Sequence, residues 1–73
     1  MLTGLRHRQS KQADRVGHLF ALATARLEDA HAIAIAGQNP RLTPAERRNL
    51  QRRLLHAIER CRLAAERIAT ADD

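Results

Sequence analysis

Residues 37–46 read Gly37-Gln38-Asn39-Pro40-Arg41-Leu42-Thr43-Pro44-Ala45-Glu46, and they end one helix and begin another within a few residues. Gly37 can take the left-handed conformation that closes a helix, and Pro40 beyond it cannot continue one. Thr43 offers its hydroxyl to cap the next helix. Pro44 then stands where a missing N–H costs nothing, and Glu46 completes a Thr-x-x-Glu capping box. Outward from this stretch, apolar residues recur at helical spacing for about 25 residues on each side. The sequence therefore predicts an all-α fold, an antiparallel two-helix hairpin. Its parts are a flexible basic tail over 1–9, a helix over 10–37 capped by Ser10, a turn over 38–43 and a helix over 44–71.

The apolar residues fall into two seams. In the first helix Ala13, Val16, Phe20, Ala23, Leu27, Ala30, Ala34 and Gly37 alternate spacings of three and four, and so do Leu50, Leu54, Ala57, Cys61, Ala64, Ile68 and Ala71 in the second. This 3.5-residue period marks helices that cross at a shallow angle, as in coiled coils and four-helix bundles. Folding the chain about residue 40 sets Ala34 against Leu50, Ala30 against Leu54, Phe20 against Cys61 or Ala64, and Ala13 against Ile68. Large residues then oppose small ones, which lets two layers interdigitate. Gly17 interrupts the first helix, either to admit a close neighbour or as a weak point.

A two-helix sandwich cannot cover its own seam. Leu22, Ile35, Leu55 and Leu63 fall on outer flanks and add apolar surface. At 73 residues, with the single cysteine Cys61 and no zinc-like Cys/His spacing, neither a disulfide within the chain nor a structural metal can reinforce the fold. A homodimer completing a four-helix bundle is the expectation, with Val16, Leu19, Phe20, Leu27, Ile33, Leu54, Ile58, Cys61 and Ile68 as candidate interface residues. No apolar run approaches 18 residues and the N-terminus lacks a signal-like apolar core, so a cytoplasmic protein without membrane contact is expected.

Net charge is +5, and twelve of the thirteen basic residues are arginine. Residues 41–53 hold Arg41, Arg47, Arg48, Arg52 and Arg53 against Glu46 alone, beside the positive end of the second helix dipole. These five are the candidate contacts for an acidic protein surface or a nucleic acid. Arg53, Arg60 and Arg67 repeat every seven residues along one flank of the second helix. A second basic segment, Arg6, Arg8, Lys11 and Arg15, begins the opposite helix, so the two segments lie at opposite ends of the rod and form no single stripe. With Phe20 the only aromatic residue, stacking on single-stranded bases has almost no means.

Catalytic chemistry finds no foothold. Glu28 and His31 have the Glu-x-x-His spacing of carboxylate-bridged metal bundles, but the seam places Glu28 outward and His31 only at its edge, with Glu59 and Glu66 also outward. His7, His18 and His56 share no ligand spacing with one another or with Cys61, and nothing sets a base beside Cys61 or Ser10. No catalytic residue, cofactor or metal is expected. The sequence favours a small self-associating helical-hairpin protein–protein interaction module serving as adaptor, regulator or assembly subunit. The alternative is a dimeric nucleic-acid-binding protein that contacts the phosphate backbone through its arginine clusters.

Overall fold

A computed structural model describes the backbone of residues 2–71 and the side chains of residues 14–71. Two helices, α1 (Leu2–Ala36) and α2 (Pro44–Ala71), lie against each other, and the described residues include no strand. The molecule is a rod, 64 × 18 × 9 Å. Its radius of gyration is 18.0 Å, against roughly 11 Å for a compact domain of this length. α1 begins at Leu2, so residues 2–9 have helical backbone where the sequence suggested a tail, and Ser10 lies within the helix instead of at its cap. The seam assignment of Ala13 lies outside the described side chains.

The turn is built from short-range hydrogen bonds. The Gly37 N–H donates to the Ile33 carbonyl at 3.0 Å, Gln38 N–H to Ile35 at 3.0 Å, and Asn39 N–H to Ala36 at 3.4 Å. The last turn of α1 thus tightens from i−4 to i−3 bonding, which satisfies carbonyls that the helix end would leave unpaired. No described residue has a positive φ, so Gly37 ends the helix without the left-handed conformation expected of it. Asn39 Oδ1 then accepts the Arg41 N–H at 3.0 Å, an Asx turn that redirects the chain.

α2 starts as the sequence predicts. Thr43 N–H donates to Glu46 Oε1 at 2.9 Å, and Glu46 N–H donates to Thr43 Oγ1 at 3.1 Å. The Arg47 N–H closes the first helical bond to the Thr43 carbonyl at 2.9 Å. The Thr43 N–H bond, followed by the hydroxyl, holds the Glu46 carboxyl below its ordinary range.

The seam of α2 matches its sequence pattern at every position. Ala57 and Ala64 are buried at 8 % and 4 % exposure, and Leu50, Leu54, Cys61, Ile68 and Ala71 are half-buried. α1 departs from its pattern. Val16, Ala23 and Ala30 face α2 as expected, but the alternate positions are Leu19, Arg26 and Ile33, not Phe20, Leu27 and Ala34. Leu19 is buried, Arg26 and Ile33 are half-buried, and Phe20 and Leu27 stand 56 % and 60 % exposed. The proposed pairings of Ala34 with Leu50 and of Phe20 with Cys61 or Ala64 are therefore corrected.

The two sets share three positions and differ by one residue at the others, so both satisfy the same 3.5-residue period. Ala57 and Ala64 on α2 mark a close approach of the axes, and an aromatic ring at position 20 needs a wider separation than the smaller Leu19. Arg26 tolerates its place because its aliphatic stem covers the seam edge while its guanidinium reaches outward. Leu22 is half-buried where an outer position was expected, whereas Ile35, Leu55 and Leu63 are exposed as the pattern implies.

Candidate functional site

With Val16, Ala23 and Ala30 as one heptad position and Leu19, Arg26 and Ile33 as the next, each helix presents two unlike flanks. In an antiparallel pair the corresponding flanks of the two helices lie on the same side. One side carries Phe20, Leu27 and Ala34 from α1 with Gln51, Ile58 and Ala65 from α2. The neighbouring positions behind them are Gly17, Thr24 and His31 on α1 and Leu55, Arg62 and Ala69 on α2. All twelve are exposed. Leu55 and Ile58 stand 61 % and 51 % open, continuing the apolar surface of Phe20 and Leu27.

This side is almost free of net charge. Its α1 residues contribute no acidic or basic group apart from His31. Its one arginine, Arg62, is held by two carboxylates. Arg62 Nε donates to Glu59 Oε2 at 3.0 Å, its terminal nitrogens pair with Glu59 and Glu66, and these contacts raise its pKa above the ordinary arginine value. In return the Arg62 hydrogen bond lowers the Glu59 carboxyl. Such exposed pairs add little to stability; their effect here is to neutralise the edge of an apolar surface.

The opposite side is basic. There the two helices enclose a groove of about 560 Å³, lined on α1 by Arg26, Asp29, Ala32 and Ile33 and on α2 by Asn49, Arg52, Arg53, His56, Ala57 and Arg60. Its floor is apolar (Ile33 and Ala57) and its rim cationic. Four arginines and one acidic residue, Asp29, line it, and Asp29 Oδ2 is 3.9 Å from Arg26 Nη1. Among the described residues Arg52, Arg53 and Arg60 form no ion pair.

Of the five arginines singled out near the turn, Arg52 and Arg53 line this groove, while Arg41, Arg47 and Arg48 do not. Arg26, His56 and Arg60 belong to it and were not among the candidates. The seven-residue repeat of Arg53, Arg60 and Arg67 was the signal for it, once Arg26 is placed at the seam. The candidate interface residues also divide. Leu19 is buried within the hairpin and Val16, Ile33, Leu54, Cys61 and Ile68 are half-buried there, leaving Phe20, Leu27 and Ile58 as those on open surface.

Glu28 and His31 are exposed, and the described residues contain no group of three His, Cys, Asp or Glu side chains arranged to hold a metal. Among these residues no helix is long and apolar enough to cross a membrane. No protein-family model matches the chain, and neither the curated proteins nor the solved structures include a match to it.

Proposed function

We propose that the chain is a non-catalytic helical-hairpin interaction module that self-associates through its apolar side, two hairpins forming a four-helix bundle. The exposure of Phe20, Leu27, Leu55 and Ile58 on one flank almost free of net charge carries this reading. Leu19, Ala57 and Ala64 are the only described residues that the hairpin buries by itself. The chain exposes 6102 Å², where a compact monomer of 8.2 kDa exposes roughly 4,500 Å². The excess exceeds the area, about 800 Å² per partner, that a standard stable interface covers. A second copy is the natural cover, because the apolar sides of two hairpins are alike and balanced in charge while their basic sides repel.

Thermal melting across a hundredfold range of protein concentration tests the proposal. The midpoint should rise with concentration in the native chain. In Leu27→Glu/Ile58→Glu it should be lower and independent of concentration, with helical circular dichroism retained in the cold. A midpoint independent of concentration in the native chain would overturn it.

The unpaired arginines favour one second reading, contact of the dimer with a phosphate backbone. Affinity for duplex RNA or DNA falling linearly on a log–log salt plot, with a slope near the number of phosphates engaged, is its signature.

A further inference from the structure

We infer that the groove on the basic side is a docking site for an acidic amphipathic helix of a partner protein. The inference concerns the side opposite the self-association surface and stands whether the hairpin is single or paired. The groove runs between the two helices of the hairpin, so a third helix laid in it would complete a three-helix bundle. Arg53 and Arg60 on α2 are seven residues apart, about 10.5 Å along the axis, and Arg67 continues the row. Carboxylates spaced seven residues apart on another helix repeat at the same distance, so each can meet one guanidinium.

Charge complementarity restricts the occupant. Arg26, Arg52, Arg53 and Arg60 outnumber Asp29, and that carboxylate lies toward Arg26. Within α1 the flank facing the Arg53–Arg60–Arg67 row holds Arg15, Leu22, Asp29 and Ala36, a single acid where an internally matched hairpin would carry several. Among the described residues a second copy has one acidic pair at that spacing, Glu59 and Glu66, and both are engaged with Arg62 on the outer face, while Asp14 and Glu28 stand fourteen residues apart and match no neighbouring pair of arginines. The floor decides between the two kinds of polyanion. Half-buried Ile33 and exposed Ala32 beside the arginines gain from an apolar side chain laid over them, which an amphipathic helix offers and a phosphodiester backbone does not.

Titration of the chain with fluorescent synthetic helices tests this. The probe is a peptide of about 21 residues, three heptads, with Leu and Ala on one face and Glu flanking it. The controls are the same peptide with Lys for every Glu, poly-glutamate, and a duplex RNA of about 20 base pairs. The acidic amphipathic peptide should bind best. Arg53→Gln/Arg60→Gln should weaken it by about tenfold or more, and Arg41→Gln/Arg48→Gln, outside the groove, should change it less than about twofold. Arg53→Glu/Arg60→Glu should transfer the preference to the lysine peptide, a gain that a merely unfolded variant cannot show. Failure of the acidic peptide to bind, equal binding of poly-glutamate, tighter binding of the duplex, or equal effects of the two glutamine pairs would each overturn the proposal.

Discussion

Arg26 is half-buried at the seam between the helices while its neighbour Leu27 projects away from it, 60 % exposed. This inversion of the usual preference sets the character of both sides of the hairpin. Turning α1 by one position toward Leu27 would bury Phe20 and Leu27 and send Arg26 to the surface. The observed turn instead buries Leu19, half-buries Ile33, adds a guanidinium to the groove, and leaves an uncharged apolar flank uncovered.

The rotation of α1 separates the effects of two alanines that share the sequence pattern. Ala30 faces α2 and Ala34 does not. Ala30→Leu should destabilise by about 1–3 kcal/mol through overpacking, as should Ala64→Leu at the most buried position on α2. Ala34→Leu should leave the hairpin's own packing unchanged. Denaturant midpoints of the three variants check this, and similar losses at residues 30 and 34 would return the seam to the Phe20–Leu27–Ala34 set.

Gly17 lies in α1 on the exposed apolar side, and a Cβ built there meets nothing within 4 Å. No close approach within the hairpin requires the glycine. Gly17→Ala should therefore stabilise the helix by about 1 kcal/mol, raising the melting midpoint by roughly 4–8 °C. At Gly37 the φ is not positive, and the nearest atom to an added Cβ is the Ala34 carbonyl oxygen at 3.4 Å. Gly37→Ala should be tolerated at this position, whereas a left-handed glycine would make it costly.

The capping box gives the hairpin an acid-sensitive element. Thr43→Ala removes the hydroxyl that accepts the Glu46 N–H and should cost about 1 kcal/mol. The Glu46 and Glu59 carboxyls lie below their ordinary value of 4.5, held there by Thr43 and Arg62 respectively. A carboxyl lowered in the folded state stabilises above its unfolded value, and that contribution disappears as pH falls through the folded value. The melting midpoint should therefore decline on acidification below about pH 4.5, with a shallower decline in Glu46→Gln/Glu59→Gln. Parallel pH profiles for the two chains would contradict this assignment.

The hairpin itself was legible because its signals are local. Thr43, Pro44 and Glu46 act within one turn, and the α2 seam from Leu50 to Ala71 has one apolar solution. The rotation of α1 was not legible from the same reasoning. Leu19 and Phe20 are adjacent, as are Ile33 and Ala34, so the apolar period permits either face. The choice depends on how closely two axes approach, which Ala57 and Ala64 determine from the other helix. Arg26 leaves no mark on the apolar pattern because its charge excludes it from a core, although its long stem can lie at the edge of one. The groove followed from that omission, since its α1 and α2 sides join only when Arg26 is placed at the seam. The left-handed Gly37 failed for a different reason: bonds from Gln38 and Asn39 close the helix first.

The central claim is that one hairpin leaves an apolar side which a second copy covers, and sedimentation equilibrium of the native chain tests it most directly. The mass should approach twice 8.2 kDa as concentration rises and return to 8.2 kDa in Leu27→Glu/Ile58→Glu, while Arg53→Gln/Arg60→Gln on the opposite side remains paired. A native mass of 8.2 kDa at every concentration, or an assembly that persists in the Leu27→Glu/Ile58→Glu chain, would contradict the account.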